Sequence, residues 1–196
     1  MAVLKNLVLF FLLFPNLIFG SQIGAASNST IEILAEDIIK TSEDTYLVGV
    51  KFRLDPGWHT YWINPGDSGE KASFEWKLPE GVKISNPKWP SPEIIPYPPL
   101  MTYGYNEEVT VLFNLTVERD LLSSEQIFLK SNWLACEDVC LPQSASIETT
   151  FLKIDDYKLS NKNSELLEKQ KKLPKKLPST IKVLEEKGEI LLTGKI

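Results

Sequence analysis

Val109-Thr-Val-Leu-Phe-Asn-Leu-Thr-Val117 carries apolar residues at every second position: Val109, Val111, Phe113, Leu115 and Val117. Tyr46, Val48, Val50, Phe52 and Leu54 repeat the pattern upstream. Alternation with β-branched and aromatic residues marks half-buried strands, because successive side chains point to opposite faces. Ile127, Leu129 and Trp133 share one face of 126–134, and Ala145, Ile147, Thr149 and Phe151 share one face of 145–153. Ile31–Ile38 and Ser73–Leu78 are further candidates. No segment from 28 to 155 has a helical period. Short strands between Pro, Gly, Asn and Asp turns predict an all-β, immunoglobulin-like antiparallel sandwich.

Seven prolines fall between Pro79 and Pro99. Proline lacks the donor that a central strand needs, so this part is expected at an edge, in a loop or as coil over a sandwich end.

Around this body the chain divides unevenly. Lys5, a short apolar run over Leu7–Phe19 and small residues from Gly20 to Ala26 read as a secretory signal peptide, 1–26, cleaved between about 20 and 26. Residues 27–155 are the expected β-sandwich domain. Residues 21–155 hold 10 Lys/Arg against 20 Asp/Glu, whereas 156–196 hold 10 Lys against 6 Asp/Glu. The latter is a basic extension: a short helix over Ser164–Lys172, then a hairpin of 181–184 with 190–196. A lone hairpin is marginal in water. The extension therefore either docks on the body or begins a second β domain.

Composition narrows the function. A net charge of -5 argues against a nucleic-acid binder, and one His with two Cys is too few for a closed zinc site. Asn28-Ser-Thr and Asn114-Leu-Thr match the glycosylation pattern, which matters only in a host that uses it.

The segment with obvious chemistry is Trp133-Leu-Ala-Cys136-Glu-Asp-Val-Cys140-Leu-Pro142. Four residues along a flat strand span about 13 Å, too far for a disulfide. The chain must turn at Glu137-Asp138-Val139 for a bridge to form. Such a bridge closes a very small loop and removes little unfolded-state entropy. Three readings stay open: a redox couple, a hairpin clip and a metal site. Under the redox reading, Glu137 and Asp138 keep the thiols protonated, so the pair is a slow attacker and a good recipient of a partner's thiolate. A binuclear copper site would want a His and a Met where Ser144 and Ile147 stand. A copper chaperone using Cys136, Cys140, His59 and Met101 remains an alternative.

Several segments, in order across residues 30–155, resemble the periplasmic N-terminal domain of the thiol:disulfide interchange protein DsbD, with the flavour of its ScsB-like branch. They are Gly57-Trp-His-Thr-Tyr-Trp-Ile-Asn-Pro-Gly-Asp-Ser-Gly69, Trp76-Lys-Leu-Pro-Glu-Gly81, Trp89-Pro90, Tyr103-Gly104-Tyr105 and the Trp133–Pro142 stretch. The resemblance implies an immunoglobulin-like sandwich with its Cys pair at one end and no cofactor or resident metal. It implies periplasmic thioredoxin-fold partners, electrons supplied through a membrane protein of the DsbD type, and roles in disulfide reduction, cytochrome c maturation or copper tolerance. By position, Cys140 matches the Cys that forms mixed disulfides and Cys136 its internal partner. Tyr103-Gly104 falls at the family's cap loop, and His59 and Tyr61 at aromatic positions beside the sulfurs. Two departures stand out: the Cys loop is shorter here, and Thr102 replaces the aromatic shield. Met101, Tyr103 or Tyr105 are the expected substitutes.

Overall fold

A computed structural model describes residues 23–42, 44–118, 125–150, 165–175, 182–186 and 189–193. The apolar run Leu7–Phe19 and Phe151 lie outside the described residues. In chain order the elements are β1 (Ile23–Ala25), β2 (Ser29–Ser42), β3 (Thr45–Leu54), β4 (His59–Gly66), β5 (Ser73–Lys77), β6 (Val82–Ile84) and β7 (Glu93–Tyr97). There follow β8 (Leu100–Asn106), β9 (Glu108–Val117), β10 (Gln126–Cys136), β11 (Cys140–Thr150), α1 (Glu165–Lys171), β12 (Lys182–Glu186) and β13 (Glu189–Thr193).

Two antiparallel sheets face each other. One has the order β1-β2-β3-β9-β6, the other β11-β10-β4-β8-β7 with β5 also paired to β10. The alternating residues of β3 and β9 point into the space between them: Val50 and Val111 are fully buried, and Phe52 and Phe113 are 1% exposed. Opposite them stand Leu129, Trp133 and Ile147. Aromatic rings lock the sheets edge to face, with Phe52 against Trp133 at 5.3 Å and Phe74 against Phe113 at 5.1 Å. The sandwich is the all-β class expected from the alternation.

The Pro-rich run contributes more regular structure than the prolines suggest. It supplies β6 and the edge strand β7, which holds Pro96 and hairpins onto β8 through Pro98-Pro99, joined by a cis bond. An edge strand needs no donor on its open side, so Pro96 is tolerated there.

β3 and β9 also differ from the half-buried expectation, because their outward faces are covered too. Leu47 and Leu112 are fully buried against Leu166 of α1, which is itself fully buried. Gly49 makes the hole: a Cβ there would sit 2.6 Å from Leu166 Cδ2. Beside it Lys51, 5% exposed, lies 2.6 Å from Glu165 and 3.0 Å from Glu108. Lys169 bonds Glu108 at 2.7 Å. Helix α1 of the basic extension thus packs on the body, while β12 and β13 pair with each other.

Candidate functional site

The site is built on the tip of the β10–β11 hairpin. Eleven consecutive cross-strand pairs run from Gln126↔Thr150 to Cys136↔Cys140. Glu137, Asp138 and Val139 make the turn, and the Glu137 N–H donates to the Val139 carbonyl at 3.4 Å. The register puts the two cysteines directly opposite, with Cα atoms 4.1 Å apart and a disulfide between them. The small loop limits what the bridge does for stability to about 2 kcal/mol by chain entropy.

The two sulfur-bearing residues are unlike. Cys136 is 1% exposed. Cys140 is exposed. On its other edge β10 meets β4, where Cys136 is paired with His59. Two residues on, Tyr61 points the same way as His59, and the two rings meet edge to face at 5.4 Å. The Tyr61 hydroxyl donates to Cys136 Sγ at 3.1 Å and lies 3.3 Å from Cys140 Sγ. Disulfide sulfurs carry no proton, so the single phenol proton is the one available to these contacts.

His59, Tyr61, Ser68, Tyr97, Thr102, Cys136, Glu137, Asp138 and Cys140 line a cavity of about 180 Å³ over the bridge. Burial pushes the His59 pKa below its ordinary value, leaving a neutral imidazole. Burial, and then the neighbouring Tyr97 phenol, raise the Tyr61 pKa. The groups that meet the sulfurs from β4 are therefore uncharged at neutral pH, while Glu137 and Asp138 bring carboxylates from the turn.

Of the residues expected around the sulfurs, the fold gathers His59, Tyr61, Thr102, Glu137 and Asp138 at this cavity. The residues of the cap segment differ among themselves. Thr102 is 3% exposed and donates to the Ile95 carbonyl at 2.7 Å, tying β8 to β7. Met101 is 48% exposed and lies outside the cavity lining. Tyr103 packs beside Gly66, and Gly104 crosses close to the Thr60 carbonyl. Tyr105 is a core residue, stacked on Trp89 at 6.4 Å and donating to the Pro90 carbonyl at 2.8 Å. Ser68 and Tyr97 line the cavity without having been expected there. The dense turn composition of Asn64-Pro-Gly-Asp-Ser-Gly69 was the available signal for Ser68. Tyr97, at the end of β7, arrives only through sheet pairing.

Among the described residues no three or more His, Cys, Asp or Glu side chains cluster as a metal site, and no helix is long and apolar enough to cross a membrane.

With this geometry the relatives can be compared. The family model for the N-terminal domain of the thiol:disulfide interchange protein DsbD matches residues 32–152. The chain belongs to the DsbD N-terminal domain family. Among solved structures, the N-terminal periplasmic domain of ScsB from Proteus mirabilis matches with a TM-score of 0.56 and 21% identity. The match covers 80% of this chain and 58% of that one, and at such identity it shows the shared fold. The GAE domain of yeast GGA1 aligns over 67% of this chain and 100% of its own, at a TM-score of 0.38 and 10% identity. No curated protein matches. The DsbD-type domain here carries its cysteine pair oxidised, at the sandwich end.

Proposed function

We propose that this domain relays electrons by thiol–disulfide exchange, taking them from one thioredoxin-fold protein and passing them to another in the periplasm. The observation that carries this is the asymmetry of the bridge: one sulfur-bearing residue exposed, the other buried against Tyr61. An incoming thiolate attacks the exposed Cys140 sulfur, and the electron pair of the broken S–S bond leaves on Cys136. A second thiolate of the donor then resolves the mixed disulfide and releases Cys140. The donor ends as a disulfide and the domain as a dithiol, two electrons richer. Running the steps backward delivers those electrons to an oxidised partner.

Glu137 and Asp138 beside the sulfurs disfavour a free thiolate, so the reduced pair reacts slowly with small disulfides. That suits a carrier that exchanges within specific complexes. In this reading the leader 1–26 exports the chain, a membrane protein of the DsbD type supplies electrons, and disulfide isomerases or cytochrome c maturation factors receive them.

The test is capture of a thioredoxin-like protein. With Cys136→Ser, the exposed Cys140 thiol should hold a partner as a stable mixed disulfide on non-reducing gels. With Cys140→Ser, the buried Cys136 should hold none. Wild-type protein whose disulfide stays closed toward every reduced thioredoxin-like donor would end the proposal.

A further inference from the structure

The contact between Tyr61 and the bridge goes beyond shielding. When Cys140 is attacked, Cys136 must receive a full negative charge at a position 1% exposed to water. Two carboxylate side chains, Glu137 and Asp138, line the same cavity, and the imidazole of His59 is uncharged. A buried thiolate in that setting is costly unless a donor meets it. The Tyr61 hydroxyl already lies 3.1 Å from Cys136 Sγ.

The ring is held there by an unusual neighbour. Gly69 adopts φ +100°, and a Cβ on it would fall 2.3 Å from two Tyr61 ring carbons and 2.5 Å from Cζ. Only a residue without a side chain lets the backbone lie flat on this ring. The loop is pinned in turn to β8: the Asp67 N–H donates to the Met101 carbonyl at 2.9 Å, and the Met101 N–H donates to Asp67 Oδ2 at 2.8 Å.

We propose that the Tyr61 hydroxyl, which lies over both sulfurs, stabilises Cys136 as the departing thiolate once the exposed Cys140 is attacked, and that Gly69, held by Asp67, is the positioning residue that seats the Tyr61 ring. This rests on the exchange function proposed above. As the S–S bond breaks, its electron pair moves onto Cys136 Sγ and the Tyr61 hydrogen bond shortens onto the growing charge. The interaction is stronger with the thiolate than with the disulfide, which is the condition for accelerating the step. The phenol keeps its proton, since burial disfavours the phenolate. The thiolate takes its proton later from solution.

The experiment uses the purified oxidised chain and dithiothreitol. This reagent loses two electrons and two protons, closing to its cyclic disulfide, while the Cys136–Cys140 pair becomes a dithiol. Tyr61→Phe keeps the ring and removes the donor. It should slow reduction about tenfold and raise the Cys136 thiol pKa, read by pH-dependent alkylation of the reduced protein. Gly69→Ala should slow reduction similarly, and the double variant should be no slower than Tyr61→Phe alone.

A rate within twofold of wild type, with unchanged thiol titration, in Tyr61→Phe overturns the donor role. Multiplying losses in the double variant overturn the role of Gly69. Where Gly69→Ala does not fold, Asp67→Ala tests the same loop. It should slow reduction, with recovery in Asp67→Asn, and an unchanged rate overturns the positioning role. Wild-type protein that dithiothreitol reduces but no thioredoxin-like donor does would end the exchange function and leave the Tyr61 result standing.

Discussion

The hairpin tip with its disulfide and the outer face of β3 and β9 under α1 both bury groups that can ionise, and they do so in opposite ways. Under α1, burial works against the charge on Lys51, but hydrogen bonds from its ammonium to Glu165 and Glu108 outweigh it and its pKa is raised. Burial likewise opposes ionisation of Glu108, while Lys169 and Lys51 outweigh that and hold its pKa below the usual carboxylate value. At the hairpin tip, burial is the leading influence on His59 and Tyr61 and favours their neutral forms. One region stores charge and serves as a fastener. The other holds neutral ring groups, with the Glu137 and Asp138 carboxylates in the same lining, against a bond that must accept charge only while it reacts.

The contrast can be broken most strongly at Leu166. Leu166→Asp puts a carboxylate in a fully buried apolar hole and should cost at least about 3 kcal/mol of helix docking. Hydrogen exchange should show α1 released, with the dithiothreitol reduction rate of the disulfide unchanged. A slowed reduction would mean that the two regions are coupled.

Opening the disulfide should cost less. Chemical denaturation of the reduced protein should show a loss of about 2 kcal/mol or less, because the β10–β11 pairing persists without it. A larger loss would make the bridge a staple rather than a working couple.

Lys51→Met removes the shared cation and leaves Glu108 and Glu165 facing each other. Those carboxylates are more than a third exposed, so the denaturation midpoint should report only about 1–2 kcal/mol.

Acid should separate the regions in sequence. The folded pKa of His59 is depressed, so the unfolded chain binds the proton more readily. The associated stability is complete above the unfolded value near 6.5 and is lost as pH falls through the folded pKa. Glu108 is also depressed, so its contribution is complete above its ordinary value of 4.5 and is lost below it, at the folded pKa. Thermal melts across pH should therefore begin to decline below about 6.5, and His59→Phe should remove that first step alone. Lys51, raised, keeps its contribution while its carboxylate partners stay ionised and loses it as pH rises through its folded pKa.

The smallest effect belongs to the turn itself. Val139 is 65% exposed, and Val139→Ser should shift stability by under about 0.5 kcal/mol.

How much of this was legible depends on distance along the chain. The inward faces of β3, β9, β10 and β11 could be read because a period of two is a local property, and burying one face of each leaves two stacked sheets as the answer. The turn at Glu137–Val139 was legible because four residues of extended chain are too long for a disulfide. The double burial of β3 was not. Leu47, Gly49 and Lys51 look like ordinary outward residues until Leu166, more than a hundred positions later, fills the hole above Gly49. The spread of the cap was not legible either, for Tyr105 reads as a shield but stacks into the core on Trp89.

Local spacing alone was thus enough for β2, β3, β5, β9, β10 and β11, for the sandwich and for the bend that lets two cysteines meet, but not for β4 and β8, which bring Tyr61 and Thr102 to the site. Which cysteine is sealed and which is open, and which hydroxyl lies over both, came from packing between segments far apart in the chain. Side-chain alternation and turn geometry act over a few residues. Burial and hydrogen-bond donation to a sulfur are set by whichever surfaces the folded sheets bring against it.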